Sequence, residues 1–164
     1  MSDETRSELN TASGKDASGA RGWISELLAK LERFGVLYAR IALGMGFLSA
    51  VADRFGLWGK YAGWGNFTIF TEYTAQVTSY LPRLFAPFLA WAATVVEIAL
   101  GILLILGLWP RWVSLASAAL LALFGLSMAI SFSVKSPLDY SVFAASAAAL
   151  LLALWQNREM SARR

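Results

Sequence analysis

LFAPFLAWAATVVEIALGILLILGL, residues 84–108, is a run of 25 residues in which Glu97 is the one charge. As a helix rising 1.5 Å per residue it would reach about 37 Å, enough to cross a hydrocarbon layer of about 30 Å. It is too long for a strand and too apolar on every face for a helix resting on a soluble core. Three more runs share this character. Residues 34–53 are apolar apart from Arg40 until Asp53, residues 112–134 carry no charge, and residues 137–156 contain only Asp139 near their start. The whole chain is 57% hydrophobic and 15% charged, with a mean hydropathy of +0.55, so its surplus apolar surface is expected to face lipid. The expected fold is all-α: a four-helix transmembrane bundle over residues 34–157.

The segments around these runs differ in composition. Residues 1–20 are Ser-, Ala- and Gly-rich with mixed charge, and read as a disordered tail. Residues 21–33 set Trp23, Leu27, Leu28 and Leu31 at helical spacing opposite Glu26, Lys30, Glu32 and Arg33, the pattern of an interfacial helix. Residues 55–83 form a long aromatic-rich loop between the first two spans. Within it Phe67, Phe70, Tyr73, Thr74 and Val77 recur at helical spacing, which predicts a short amphipathic helix at the membrane surface. Gly107 and Pro110 are expected to end one span and open the next, and Ser136-Pro137-Leu138-Asp139 to open the fourth.

Charge beside the spans suggests an orientation. Arg21, Lys30, Arg33, Arg111, Arg158, Arg163 and Arg164 fall on one side, and Arg54, Lys60, Arg83 and Lys135 on the other. Seven against four favours both termini in the cytoplasm, with residues 158–164 a cytoplasmic tail and the aromatic loop outside.

The chain has no Cys and no His, which removes thiolate chemistry and the usual ligands of haem, copper and catalytic zinc. No metal site and no cofactor held through such residues is expected. The net charge of +3 is scattered at the ends of apolar runs, so nucleic acid is not an expected partner. No phosphate-binding loop, nucleophile elbow or HExxH pattern occurs.

Two charges within the spans are the candidate functional residues. Glu97 sits near the middle of its span, where a carboxylate must be neutral, paired or hydrated. Arg40 lies closer to an interface and can snorkel, yet an extended Arg on an antiparallel neighbour can also reach Glu97. An Arg40–Glu97 pair is therefore expected, either as an interhelical clamp or as a site in which Glu97 is a protonatable group or ligand contact. Gly44 and Gly101, each one turn beyond these charges, would let the helices approach closely. Asp53, Arg54, Lys135 and Asp139 fall at the outer ends of spans. With Trp58, Trp64, Tyr73 and Tyr140 they are candidates for the mouth of a pocket for an amphipathic or aromatic molecule such as a quinone.

Arg40-x-x-x-Gly44-x-x-Phe47, Glu97-x-x-x-Gly101 followed by Leu104 and Gly107, and SPLDYSVF at 136–143 give the chain a resemblance. Over about residues 36–155 it resembles the DoxX-like small membrane proteins, related to the DoxD subunit of a thiosulfate:quinone oxidoreductase. It departs from them at AVADRFG, residues 50–56, where many relatives have a Gly and then a Lys. The resemblance implies a bacterial inner-membrane protein without its own redox cofactor. It also implies sulfur, thiol or quinone redox partners and marks Arg40 and Glu97 as functional positions. Two roles follow as expectations: a membrane subunit or anchor of a redox-linked complex, not catalytic alone, or a small-solute or proton transporter built around an Arg–Glu pair.

Overall fold

A computed structural model of the chain describes residues 3–162, with side chains from 22 to 158. The expected tails over 1–20 and 158–164 lie outside the described side chains, Arg158 apart. All regular structure among the described residues is helical: α1 (Asp3–Arg54), α2 (Phe67–Val77), α3 (Ala86–Leu106), α4 (Pro110–Ser131), α5 (Lys135–Asp139) and α6 (Val142–Ala162). Short 3-10 turns occur at Gly59–Tyr61 and Arg83–Phe85. The chain divides into two units, Met1–Tyr38 and Ala39–Arg164.

Three helices are long and apolar enough to cross a membrane: Gly22–Arg54, Arg83–Leu106 and Pro110–Ser131. The expected interfacial segment 21–33 is thus continuous in secondary structure with the first span. Trp23, Leu27, Leu28 and Leu31 are all exposed along it.

In the second unit, α1 and α3 cross where both lack side chains. A Cβ built on Gly44 would lie 2.8 Å from the Gly101 carbonyl oxygen, and one on Gly101 3.1 Å from the Gly44 oxygen. Only hydrogen allows the two backbones to come this near. Gly107 ends α3 in the left-handed conformation, φ 74°, its N–H donating to the Leu103 carbonyl; Pro110 then opens α4, as the sequence predicts. A three-residue joint folds α4 back beside α3. α6 packs along α4, where Ser146 Oγ donates to the Ala118 carbonyl at 2.8 Å.

The fourth expected span, 137–156, begins differently from its expectation. Ser136, Pro137 and Asp139 belong to the one-turn α5, and α6 starts only at Val142. Tyr140 N–H closes back on the Ser136 carbonyl and Ser141 N–H on that of Leu138, after which Ser141, φ 55°, turns the chain out of α5. The Ser141 carbonyl then accepts from Ala145 N–H to begin α6.

Between α1 and α3, Asn66 caps α2 by accepting from Ile69 N–H at 2.9 Å. The predicted short helix is present, but Phe70 and Thr74 are buried rather than laid on a surface. Phe67 stacks on Trp91 of α3 with ring centroids 4.3 Å apart, and Tyr80 hydroxyl meets Ser127 Oγ of α4 at 2.9 Å. α2 therefore closes one end of the space between α1, α3 and α4.

Candidate functional site

Side chains on a helix lean toward its N-terminus. Arg54, the last residue of α1, therefore reaches back into the bundle instead of out of it. Its Nη2 donates to both oxygens of Glu97, each at 2.7 Å. Nη1 donates to Thr94 Oγ1 at 2.9 Å, and that hydroxyl donates onward to the Ala90 carbonyl. The guanidinium lies over Phe70 of α2, 3.8 Å from the ring centroid, with Trp64 at 5.9 Å. Arg54 is 3% exposed and Glu97 1%.

An arginine has five N–H donors. Three are spent on Glu97 and Thr94, and Nε is buried with no partner.

Asp53 has a separate task. Its two oxygens accept from the backbone N–H groups of Gly63 and Trp64, at 2.7 and 3.0 Å. This tie sets the Trp64 ring against Phe70 and Tyr73, with centroids 5.2 and 5.5 Å away.

These residues border a cavity of about 910 Å³. Its walls are mostly apolar: Phe47 and Ala50 of α1, Ala93 and Val96 of α3, Phe124 and Met128 of α4, and Val142 and Ala145 of α6. Asp53, Arg54, Trp64, Phe70, Tyr73, Glu97 and Tyr140 also border it. Burial, and then the neighbouring Tyr140, pushes the Tyr73 phenol above its ordinary range, so Tyr73 is a proton donor at neutral pH.

The expected Arg40–Glu97 pair is not formed. Arg40 leans the same way as Arg54, which at its position points toward the end of α3. There Nε donates to the Leu104 carbonyl at 2.9 Å and Nη2 to that of Ile105 at 3.3 Å. These last-turn carbonyls have no partner within the helix and carry its negative end, so they suit a cation. The guanidinium packs over Gly107, where a Cβ would lie 1.8 Å from Nη2.

The expected outer group is also divided. Asp53, Arg54, Trp64, Tyr73 and Tyr140 border the cavity, whereas Trp58, Lys135 and Asp139 do not. Trp58 donates to the Ser49 carbonyl, and Lys135 and Asp139 pair with each other in the open. Thr94 was not anticipated, although its spacing of three from Glu97 places both on one face of α3. Among the described residues no cluster of three or more His, Cys, Asp or Glu could hold a metal.

No curated protein and no solved structure gives a match to this chain. The profile of the DoxX family does, over residues 35–133, a stretch that contains Arg40, Arg54 and Glu97 and more than half of the chain. With its apolar helices, this multi-pass membrane protein belongs to the DoxX family.

Proposed function

We propose that the chain is a cofactor-free membrane subunit of a redox-linked complex, and that the cavity beside Arg54 and Glu97 receives a quinone-class molecule on behalf of a redox partner. The cavity carries this reading. Its volume of about 910 Å³ lies within the range of small-molecule sites, roughly 300–1,000 Å³. Trp64, Phe70 and Tyr73 supply a wall suited to a flat ring, and the unpartnered Arg54 Nε–H suits a carbonyl oxygen. A bound quinone would supply two-electron, two-proton chemistry. The chain's own residues bind and orient: α2 shields the site, the Arg54–Glu97 pair fixes its polar end, and Tyr73 offers a proton donor.

The same reading places the protein in a bacterial inner membrane with both termini cytoplasmic. α6 then makes a fourth crossing and completes a four-helix bundle, with the aromatic loop and α2 outside. Support comes from the packing of α6 along α4 and from the bias of Lys and Arg beside the spans.

Purification in mild detergent should recover a stoichiometric partner with sulfur, thiol or quinone redox chemistry. A short-tailed benzoquinone titrated into the protein in nanodiscs should quench tryptophan fluorescence saturably. A solitary chain with quenching strictly linear in quinone would sink the proposal.

A second reading is favoured by the burial of Glu97 midway along α3: a small-solute or proton transporter built around an intramembrane Arg–Glu pair, here Arg54 with Glu97. Proteoliposome flux that is unchanged by Glu97→Gln would remove that role.

A further inference from the structure

The charges bordering the cavity are one guanidinium, Arg54, and two carboxylates, Asp53 and Glu97. None is held in reserve for an ion. Both Nη2 hydrogen bonds of Arg54 end on Glu97, and both Asp53 oxygens are occupied by the backbone of Gly63 and Trp64. An anionic ligand could gain Arg54 only by displacing Glu97, which would leave a buried carboxylate without its counter-charge. A cationic ligand would have to draw Asp53 from the loop it ties down. What remains unspent is a single kind of group, the buried N–H of Arg54 Nε.

We infer that this cavity is selective for neutral amphipathic molecules that present a hydrogen-bond acceptor, such as a carbonyl, to Arg54, and that it rejects anions and cations of the same shape. The inference rests on the proposed function only in taking this cavity as the working site. Quinones and neutral lipid esters both offer that chemistry: an apolar body that fits the walls and a carbonyl without formal charge.

Four probes of one chain length isolate the head group: 2-undecanone, undecane, undecanoate and undecylamine. Each is bound to the full chain in nanodiscs and corrected for partition into empty nanodiscs. The ketone is expected to bind about tenfold or more tightly than the other three, the range of one hydrogen bond to a charged donor. Arg54→Lys keeps a cation for Glu97 and Thr94 but removes the Nε–H, and should bring the ketone down to the level of undecane. The comparison of ketone, alkane and ions on the unaltered chain decides the matter even if that variant does not fold.

Undecanoate or undecylamine binding as tightly as the ketone overturns the inference, and leaves the proposed function to be judged by partner capture. A solitary chain that still prefers the ketone fails the proposed function and upholds the selectivity. A short-tailed benzoquinone and a diacylglycerol then separate the two sources, since whichever binds more tightly identifies the neutral carbonyl that the site takes.

Discussion

Arg40 and Arg54 leave the same helix with the same lean, yet they meet opposite surroundings on α3. Arg40 arrives at the helix end, where free carbonyls offer partial negative charge and part of the side chain stays in contact with solvent. Arg54 arrives four turns further along α1, among residues so enclosed that only a full counter-charge makes a guanidinium tolerable. The first arginine fastens two helices. The second forms an ion pair in the wall of a cavity, and the difference lies in what each can reach on α3.

Removing the counter-charge tests that contrast at its strongest. Glu97→Gln leaves Arg54 buried without an anion and is expected to cost about 3–5 kcal/mol, measured by denaturant unfolding in mixed micelles. The double change Arg54→Met with Glu97→Leu removes both charges and should recover most of that loss. A double variant as unstable as the single one would mean that the pair itself, and not its imbalance, holds the fold.

At the other arginine the expected losses are smaller. Arg40→Ala removes two bonds from a charged donor to the end of α3 and should cost about 1–3 kcal/mol by the same unfolding measurement. Gly107→Ala drives a methyl into the Arg40 guanidinium and forces a side chain onto a left-handed backbone. In the Arg40→Ala background the collision disappears and only the backbone strain, about 1 kcal/mol, should remain. Equal losses in both backgrounds would show that Arg40 does not pack there.

Much of this contrast was legible in the sequence, though its partners were assigned wrongly. The apolar runs gave the membrane class, and Gly44 and Gly101 marked the crossing of α1 and α3. Depth alone, however, made Arg40 the partner of Glu97. Starting from the Gly44–Gly101 crossing and applying the lean of helical side chains sends Arg40 to residues near 104 and Arg54 toward 97. Arg54 was read as a helix-end charge because it follows Asp53 at the edge of an apolar run, a position that usually faces water. The break at Ser141 left no mark that Ser136-Pro137 would not equally leave at a true helix start. The cavity depends on how α2 is tucked between helices, which the period of its apolar residues does not specify.

Asp53 adjoins Arg54 in sequence but acts on the loop, so it separates the ion pair from the architecture around it. Asp53→Asn keeps one acceptor oxygen and loses the other, at an expected cost of about 1 kcal/mol. The visible result should be faster protease cleavage within residues 55–66 and altered Trp64 emission, with the Arg54–Glu97 pair intact. A stability loss as large as that of Glu97→Gln would instead make Asp53 part of the buried charge balance.

The smallest effect is expected where an ion pair of the same kind stands in water. Lys135 and Asp139 pair one turn apart with side chains 78% and 55% exposed, against 4% and 2% for Arg54 and Glu97. Water and salt screen such a pair, and fixing two mobile side chains offsets much of its attraction. Lys135→Ala should therefore change the unfolding free energy by no more than about 0.5 kcal/mol. Raising the salt concentration should remove even that difference, while the penalty of Glu97→Gln should persist, since ions do not reach the buried site. If both penalties faded together, Arg54 and Glu97 would be in contact with solvent, and the cavity would be wetter than its apolar walls imply.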